Sequence, residues 1–285
     1  IWHHTYYNEL RVAPEDFSVM LTEPPLNPKQ NRERMTAIHF ETFYFAQLYV
    51  QIDAVLPLYA SGLVTGCVFD SGYDVSHIVP IYEGSALPRT IKRLDFGGHH
   101  LTKWMAKDLQ RKGYTLELEL IREIKETMTY LAMDYDKELK YASSLTRDYE
   151  LPDATVITLD VARFKCPEAL FQPSIIDEKG DGVSKATLNA IMSCDCDIRK
   201  DILANIMPAG GTTMFPGIEK RLMKEMTALV PPGIKVKVLG PPEHTERKHS
   251  AWRGGSILSM IGALDWITKA EYEDAGPSIV HRNIF

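Results

Sequence analysis

Residues 65–81 read Thr-Gly-Cys-Val-Phe-Asp-Ser-Gly-Tyr-Asp-Val-Ser-His-Ile-Val-Pro-Ile, and this stretch decides the fold class. Thr65 to Phe69 and Val75 to Ile81 are rich in β-branched and aromatic residues. A short polar turn separates them, so they predict a hairpin. An acid at the end of a buried strand, followed by a small flexible turn, has two readings. Asp70-Ser71-Gly72 can hold a hydrated metal and offer backbone N–H groups to phosphate. Taken alone it reads first as ordinary turn chemistry.

Working outward, Met35 to Tyr49 is apolar-periodic and predicts a helix. A second helix is expected from Ile52 to Tyr59, weakened by Pro57 inside it and ended by Ser61-Gly62. Downstream, Gly97-Gly98 opens a helical region, Leu101 to Arg111. Arg122 to Leu139 predicts one long helix, because Ile124, Met128, Leu131 and Tyr135 share a face. Val156 to Leu159 and Phe164 read as short strands. Asp177 to Gly182 reads as a loop, and Leu188 to Met192 as a helix. An amphipathic helix follows Pro216, Ile234 to Val238 alternates as a strand should, and Gly254 to Ile261 reads as a helix whose glycines permit close packing. Strands interleaved with helices give an α/β class.

Composition excludes several functions. The 285 residues carry 32 Lys plus Arg against 38 Asp plus Glu, a net charge of −6. That balance argues against a nucleic-acid binder acting through bulk charge. The four cysteines, Cys67, Cys166, Cys194 and Cys196, make no disulfide framework, and no Asn-x-Ser/Thr sequon occurs. Both features favour a reducing, cytoplasmic setting. No apolar run approaches the ~18 residues of a membrane span.

Further motifs carry paired readings. Ala209-Gly210-Gly211-Thr212-Thr213 precedes a helix. Its glycines allow close backbone approach to a ligand at a helix N-terminus, or they simply connect a strand to a helix. Lys125-Glu126 can grip a ribose or base, or form a solvated face; Lys248, in a charged loop, has the same two readings. Cys194-Asp195-Cys196 lacks the paired partners of a zinc site. His3-His4 and His99-His100 are adjacent pairs that point in different directions. Asp177-x-Lys179-x-Asp181-Gly182 has Lys179 at a calcium-loop ligand position. No Walker A sequence is present.

Several longer stretches resemble actin. They include Ile1-Trp2-His3-His4-Thr5, Tyr7-Asn8-Glu9-Leu10-Arg11-Val12-Ala13-Pro14, Leu58-Tyr59-Ala60-Ser61-Gly62 and Val79-Pro80-Ile81-Tyr82-Glu83-Gly84. They continue through Cys166 to Pro173, Gly210 to Met214 and Gly276 to Arg282. The resemblance runs from the first residue to the last. It implies the two-lobed α/β fold shared with sugar kinases and heat-shock chaperones, with ATP or ADP and Mg2+ or Ca2+ between the lobes. The family's N-terminal part, with its first phosphate hairpin, is expected to be missing. On the family pattern, residues 1–60 and 250–285 form a partial first-lobe subdomain. Residues 61–96 and 179–249 form the inner subdomain of the second lobe, and 97–178 its outer subdomain.

The resemblance assigns Asp70 to the metal. It assigns Ser71, Gly72, Tyr73, Asp74, Gly98, Arg122, Lys125, Glu126, Gly210, Gly211, Met214, Phe215 and Lys248 to the nucleotide. Asp53 and His77 fall beside the attacking water, and Tyr59, Ala60, Ile257, Leu258 and Ile261 form the cleft for actin-binding partners. Three departures bear on chemistry. Asp53 stands where the family has a water-orienting glutamine, and a carboxylate only accepts hydrogen bonds. Tyr73-Asp74 replaces Asp-Gly in the phosphate loop, and Phe215 replaces a tyrosine. Asp177-Glu178 makes two positions of an apolar assembly plug acidic. The resemblance therefore implies a cytoskeletal protein, partnered by actin-family subunits, whose nucleotide binding is weak or lost and whose hydrolysis and polymerisation are impaired. The alternative is a scaffold that binds actin-binding partners without nucleotide turnover.

Overall fold

The computed structural model describes residues 1–240, 244–262 and 264–283. The chain first lays down β1 (Ser18–Glu23), α1 (Lys29–Ala37) and β2 (Gln47–Ile52), with β1 and β2 parallel. The helix expected from Met35 to Tyr49 is thus cut short. Its backbone widens into a π-turn over Ile38–Thr42, and Gln47 onwards is strand. Leu48, Val50 and Ile52 alternate inward on β2, a period of two that a helix cannot satisfy. The second expected helix shrinks to α2 (Leu56–Ala60). Pro57 sits in its first turn, where a missing N–H costs nothing, and so does not kink it.

The hairpin forms as the sequence indicates: β3 (Gly66–Ser71) pairs antiparallel with β4 (Ser76–Tyr82), placing Asp70 opposite His77. Strands β5 (Ser85–Ala86) and β6 (Lys92–Leu94) both add to β4. Helices α3 (Gly98–Arg111) and α4 (Leu118–Met128) follow, then a separate α5 (Tyr135–Lys140). The single helix expected over Arg122–Leu139 breaks at Thr129. There Tyr130 N–H donates to Arg163 O (3.0 Å) and Leu131 N–H to Pro216 O (2.9 Å). Tertiary partners have taken the hydrogen bonds a continuous helix needs, and the Asp134 side chain caps α5 afresh.

Strands β7 (Arg147–Glu150) and β8 (Val156–Leu159) form a small antiparallel sheet. Phe164, expected in a strand, is buried within α6 (Ala162–Glu168). Next come α7 (Val183–Met192), α8 (Arg199–Leu203) and β9 (Ile206–Ala209), which runs parallel to β3. Beyond α9 (Ile218–Leu229), the alternating segment Ile234–Val238 makes only a single bridge, Val238 to Ile206, in place of the expected strand. Helix α10 (Ser250–Ser259), strand β10 (Ile267–Thr268) on the edge of β2, and α11 (Lys269–Ala275) complete the element order.

The β3–β4–β9 sheet is buried on both faces. Cys67, Phe69, Ile78 and Ile206 pack into the largest cluster, with Leu101, Met105 and Leu109 of α3 and Leu222 and Met226 of α9. Val68, Val79, Ile81 and Met207 pack the other way, against Val55 and Leu58. The near-continuous apolar runs of β3 and β4 follow from this double burial. Phe40, Leu48, Val50, Ile267 and Tyr272 form a further cluster around the β1–β2–β10 sheet. Among the described residues no helix is long and apolar enough to cross a membrane.

Candidate functional site

Two carboxyl groups mark the site. Asp53 follows directly on β2, and Asp70 lies near the end of β3, beside Ala209 of β9. Carboxyl ends of strands are where open α/β sheets gather ligands. The Asp53 carboxyl is pushed up to about 7, chiefly by burial and then by the charge of Asp70. Ala54 N–H, donating to its Oδ1 at 2.6 Å, opposes the rise. Burial pushes Asp70 up to about 6. Burial disfavours ionisation of both acids, and the charge of Asp70 adds to that at Asp53, so a nearby cation would favour their ionised forms.

Gly210 closes the other side. Its φ is +83°, and a Cβ there would lie 2.3 Å from Asp70 Oδ1 and 2.4 Å from Ser71 O. Only glycine fits this approach. Gly211–Met214 then forms a 3₁₀ turn, and the Lys248 stem passes close by Gly211.

The turn after β3 is clamped from two directions. Gly72 O accepts from Gly98 N–H (3.0 Å) and from Thr212 Oγ1 (2.7 Å), and Tyr73 O accepts from His99 N–H (2.8 Å). Gly97 lies so close that a Cβ would meet Gly72 O and Tyr73 O at 2.7 Å. The Gly72 N–H, one candidate phosphate donor, is used inside the turn on Val75 O (3.0 Å). The Ser71 hydroxyl is fully buried and bonded to Ser76 Oγ (2.7 Å), which donates to Phe96 O. Tyr73 and Asp74 project into solvent, and the Tyr73 ring stacks on His99 with centroids 4.8 Å apart.

The remaining candidates fall into two groups. Lys125 is buried, and its Nζ donates to Gly98 O and Thr102 Oγ1, both at 3.0 Å. Burial lowers its pKa. It ties α4 to the start of α3, immediately behind the clamped turn. Arg122 and Glu126 lie on the exposed side of α4, where Arg122 reaches Glu119 at 2.9 Å. Met214 is half-buried, and Phe215 is buried in the largest core cluster. His77 is buried opposite Asp70, and burial together with Arg93 lowers its pKa, favouring the neutral ring.

The sequence reading did not single out Thr212 as the hydroxyl that holds the turn, nor Thr102 as the partner of Lys125. It also missed Arg247, which is buried, donates to Thr213 O (2.6 Å) and pairs with Glu219. The Thr-Thr pair after the glycines was the visible signal for the first. Nothing in local sequence marks the other two, because their partners lie far away along the chain.

Of the partner-cleft residues, Leu258 is buried, Tyr59 and Ala60 are half-buried, and Ile257 and Ile261 are exposed. Helix α10 lies directly on α2: a Cβ on Gly254 would sit 1.8 Å from Leu56 O. In the segment expected to form an assembly plug, Ile175 and Ile176 pack against the main core, while Asp177 turns outward in the left-handed region at φ +62°.

Among the described residues no three or more His, Cys, Asp or Glu side chains converge on one point. The carboxylate oxygens of Asp53 and Asp70 are the kind of donor that a hard, largely hydrated divalent cation such as Mg2+ takes. Two acids at strand ends, a glycine that admits no side chain and a doubly clamped turn meet at one edge of an α/β protein. The family model described as Actin matches residues 1–285, the whole chain. The chain belongs to the actin family.

Proposed function

We propose that this actin-family chain binds adenine nucleotide, ATP or ADP, with Mg2+ or Ca2+ at the Asp53–Asp70–Gly210 junction. The Asp53–Asp70 pair carries the reading, because its two disfavoured negative charges are relieved by a bound divalent cation. Lys125, Gly98 and Thr212 hold the phosphate-side turn in place, and Lys248 and Gly211 flank it.

Binding is weak, and turnover slow. Tyr73 and Asp74 add bulk and negative charge to the turn, and the Gly72 N–H is already occupied. Asp53, an acceptor only, cannot donate to an attacking water as a glutamine amide can. The protein then serves the cytoskeleton in the cytoplasm chiefly through the cleft between α2 and α10, meeting actin-binding proteins or actin-family subunits there. The exposed Tyr73 and Asp74 favour a second reading, a scaffold that holds no nucleotide at all.

Titration with a fluorescent etheno-ATP in the presence of Mg2+ separates these readings. Saturable binding weaker than about 1 μM, competed by unlabelled ATP, supports the first. No saturation at millimolar nucleotide leaves the scaffold. Micromolar or tighter binding would show that Tyr73 and Asp74 do not impede the site.

A further inference from the structure

Away from the strand-end acids, α3 and α6 frame a groove of about 370 Å³ whose opposite lip is Ile175 to Glu178. Lys103, Lys107 and Arg111 stand along α3 at successive i, i+4 positions, all exposed. None of the three makes an ion pair among the described residues, whereas Lys112 next to them holds Asp108 at 2.9 Å and Asp160 at 2.6 Å. Lys165 of α6 lies over the Trp104 ring, 5.9 Å from its centre, and adds a fourth cation to the same wall. Trp104, Ile175 and Ile176, each half-buried, give the groove an apolar floor. The acids lining the groove are Asp108, ion-paired with Lys112, and Asp177 and Glu178 on the far lip.

We propose that this groove binds an extended acidic peptide segment of a partner protein, its alternate carboxylates facing Lys103, Lys107 and Arg111. Spacing supports an extended strand. Four residues of helix rise about 6 Å, and alternate residues of a strand stand about 6.7 Å apart. Successive carboxylates on one face of a strand thus meet successive cations on one stripe of α3. The intervening side chains point the other way, towards Ile175 and Ile176 of the opposite lip. A nucleic acid fits poorly, because the chain as a whole carries −6 and the cationic stripe spans only about 12 Å of helix.

The test is fluorescence anisotropy on the intact protein with a labelled decapeptide alternating Glu and Val. A Gln-Val peptide and a single-stranded oligodeoxynucleotide of similar length are the comparisons. Saturable binding of the Glu-Val peptide is expected, with neither comparison matching it. The double variant Lys103→Glu/Lys107→Glu is expected to bind at least about tenfold more weakly. Both positions are exposed on the helix, and Glu and Lys have similar helix propensity, so circular dichroism should be unchanged. The variant Lys235→Glu/Lys237→Glu alters net charge equally at a distant exposed segment and should stay within about twofold of the original. Absence of saturable peptide binding overturns the proposal. So does equal loss in the distant variant, or an oligonucleotide that binds as tightly as the peptide, since either reduces the effect to bulk charge.

Discussion

Gly210 and Asp53 set the character of the site. At Gly210 a positive φ and the contact with Asp70 act together, so Gly210→Ala meets both backbone strain and a steric clash. The expected loss is about 1–3 kcal/mol, read as a lower urea midpoint with an unchanged slope. Unaltered stability would show that the strand end can move aside. At Asp53 the deficit is chemical. Asp53→Gln restores a group that both donates and accepts hydrogen bonds but removes one of the two charges proposed to hold the cation, so Mg·ATP affinity is expected to fall at least about tenfold, or about 1.4 kcal/mol. Unchanged affinity would mean that Asp53 does not hold the cation. The glycines and acids at this junction are legible in sequence because special backbone geometry and desolvated charge demand particular residue types. Lys125 is legible as a charge but not as a buried one. Its burial depends on Thr102 and on Gly98 O, 23 and 27 residues away.

His39 shows what an element demands of a single ring. It is fully buried under the N-terminal aromatics. Nε2 lies 2.8 Å from the Tyr6 hydroxyl and Nδ1 lies 2.7 Å from Met35 O. With Nδ1–H donating to Met35 O and Nε2 accepting from Tyr6, the neutral ring satisfies both partners, and burial lowers its pKa. The unfolded chain then takes up the proton first, at about 6.5. Stability from this group is therefore full above that pH and is lost as pH falls through it, by up to about 1.4 kcal/mol per pH unit. His39→Gln is expected to flatten the slope of unfolding free energy between pH 7.5 and 5.5, values spanning about one unit either side of the ordinary histidine pKa. An unchanged slope would place the titrating group elsewhere. Elements were legible where their pattern is internal, as in the β3–β4 hairpin and α3. They were misread where distant backbone intervenes, as at the break after Met128 and the start of β2. The segment Ile234–Val238 has a strand's alternation but finds only Ile206 to pair with, and pattern alone creates no ladder.

At the scale of the whole molecule, the three sheets follow from two kinds of burial. The β3–β4–β9 sheet is covered on both faces, and the family signature stretches thread through and around it. Family membership was legible because so much of the chain is constrained at once. What the site binds was not, since the departures at Asp53, Tyr73 and Asp74 fall within the reading that would assign it. Assembly follows the same logic. Asp177 is exposed beside Ile175 and Ile176, and an apolar contact between subunits made through this segment would have to dehydrate it. The protein is expected to stay in the supernatant on high-speed sedimentation with Mg·ATP. Pelleted filaments would show that the acidic plug does not prevent assembly.

The central claim is that Asp53 and Asp70 jointly hold a cation that brings phosphate to Gly210. Isothermal calorimetry of Mg·ATP against the unmodified protein and Asp70→Asn, each repeated with EDTA, tests it directly. Saturable heat that requires Mg2+ and disappears in Asp70→Asn is the expected result. Equal heats from both proteins, or binding that is indifferent to Mg2+, would contradict it.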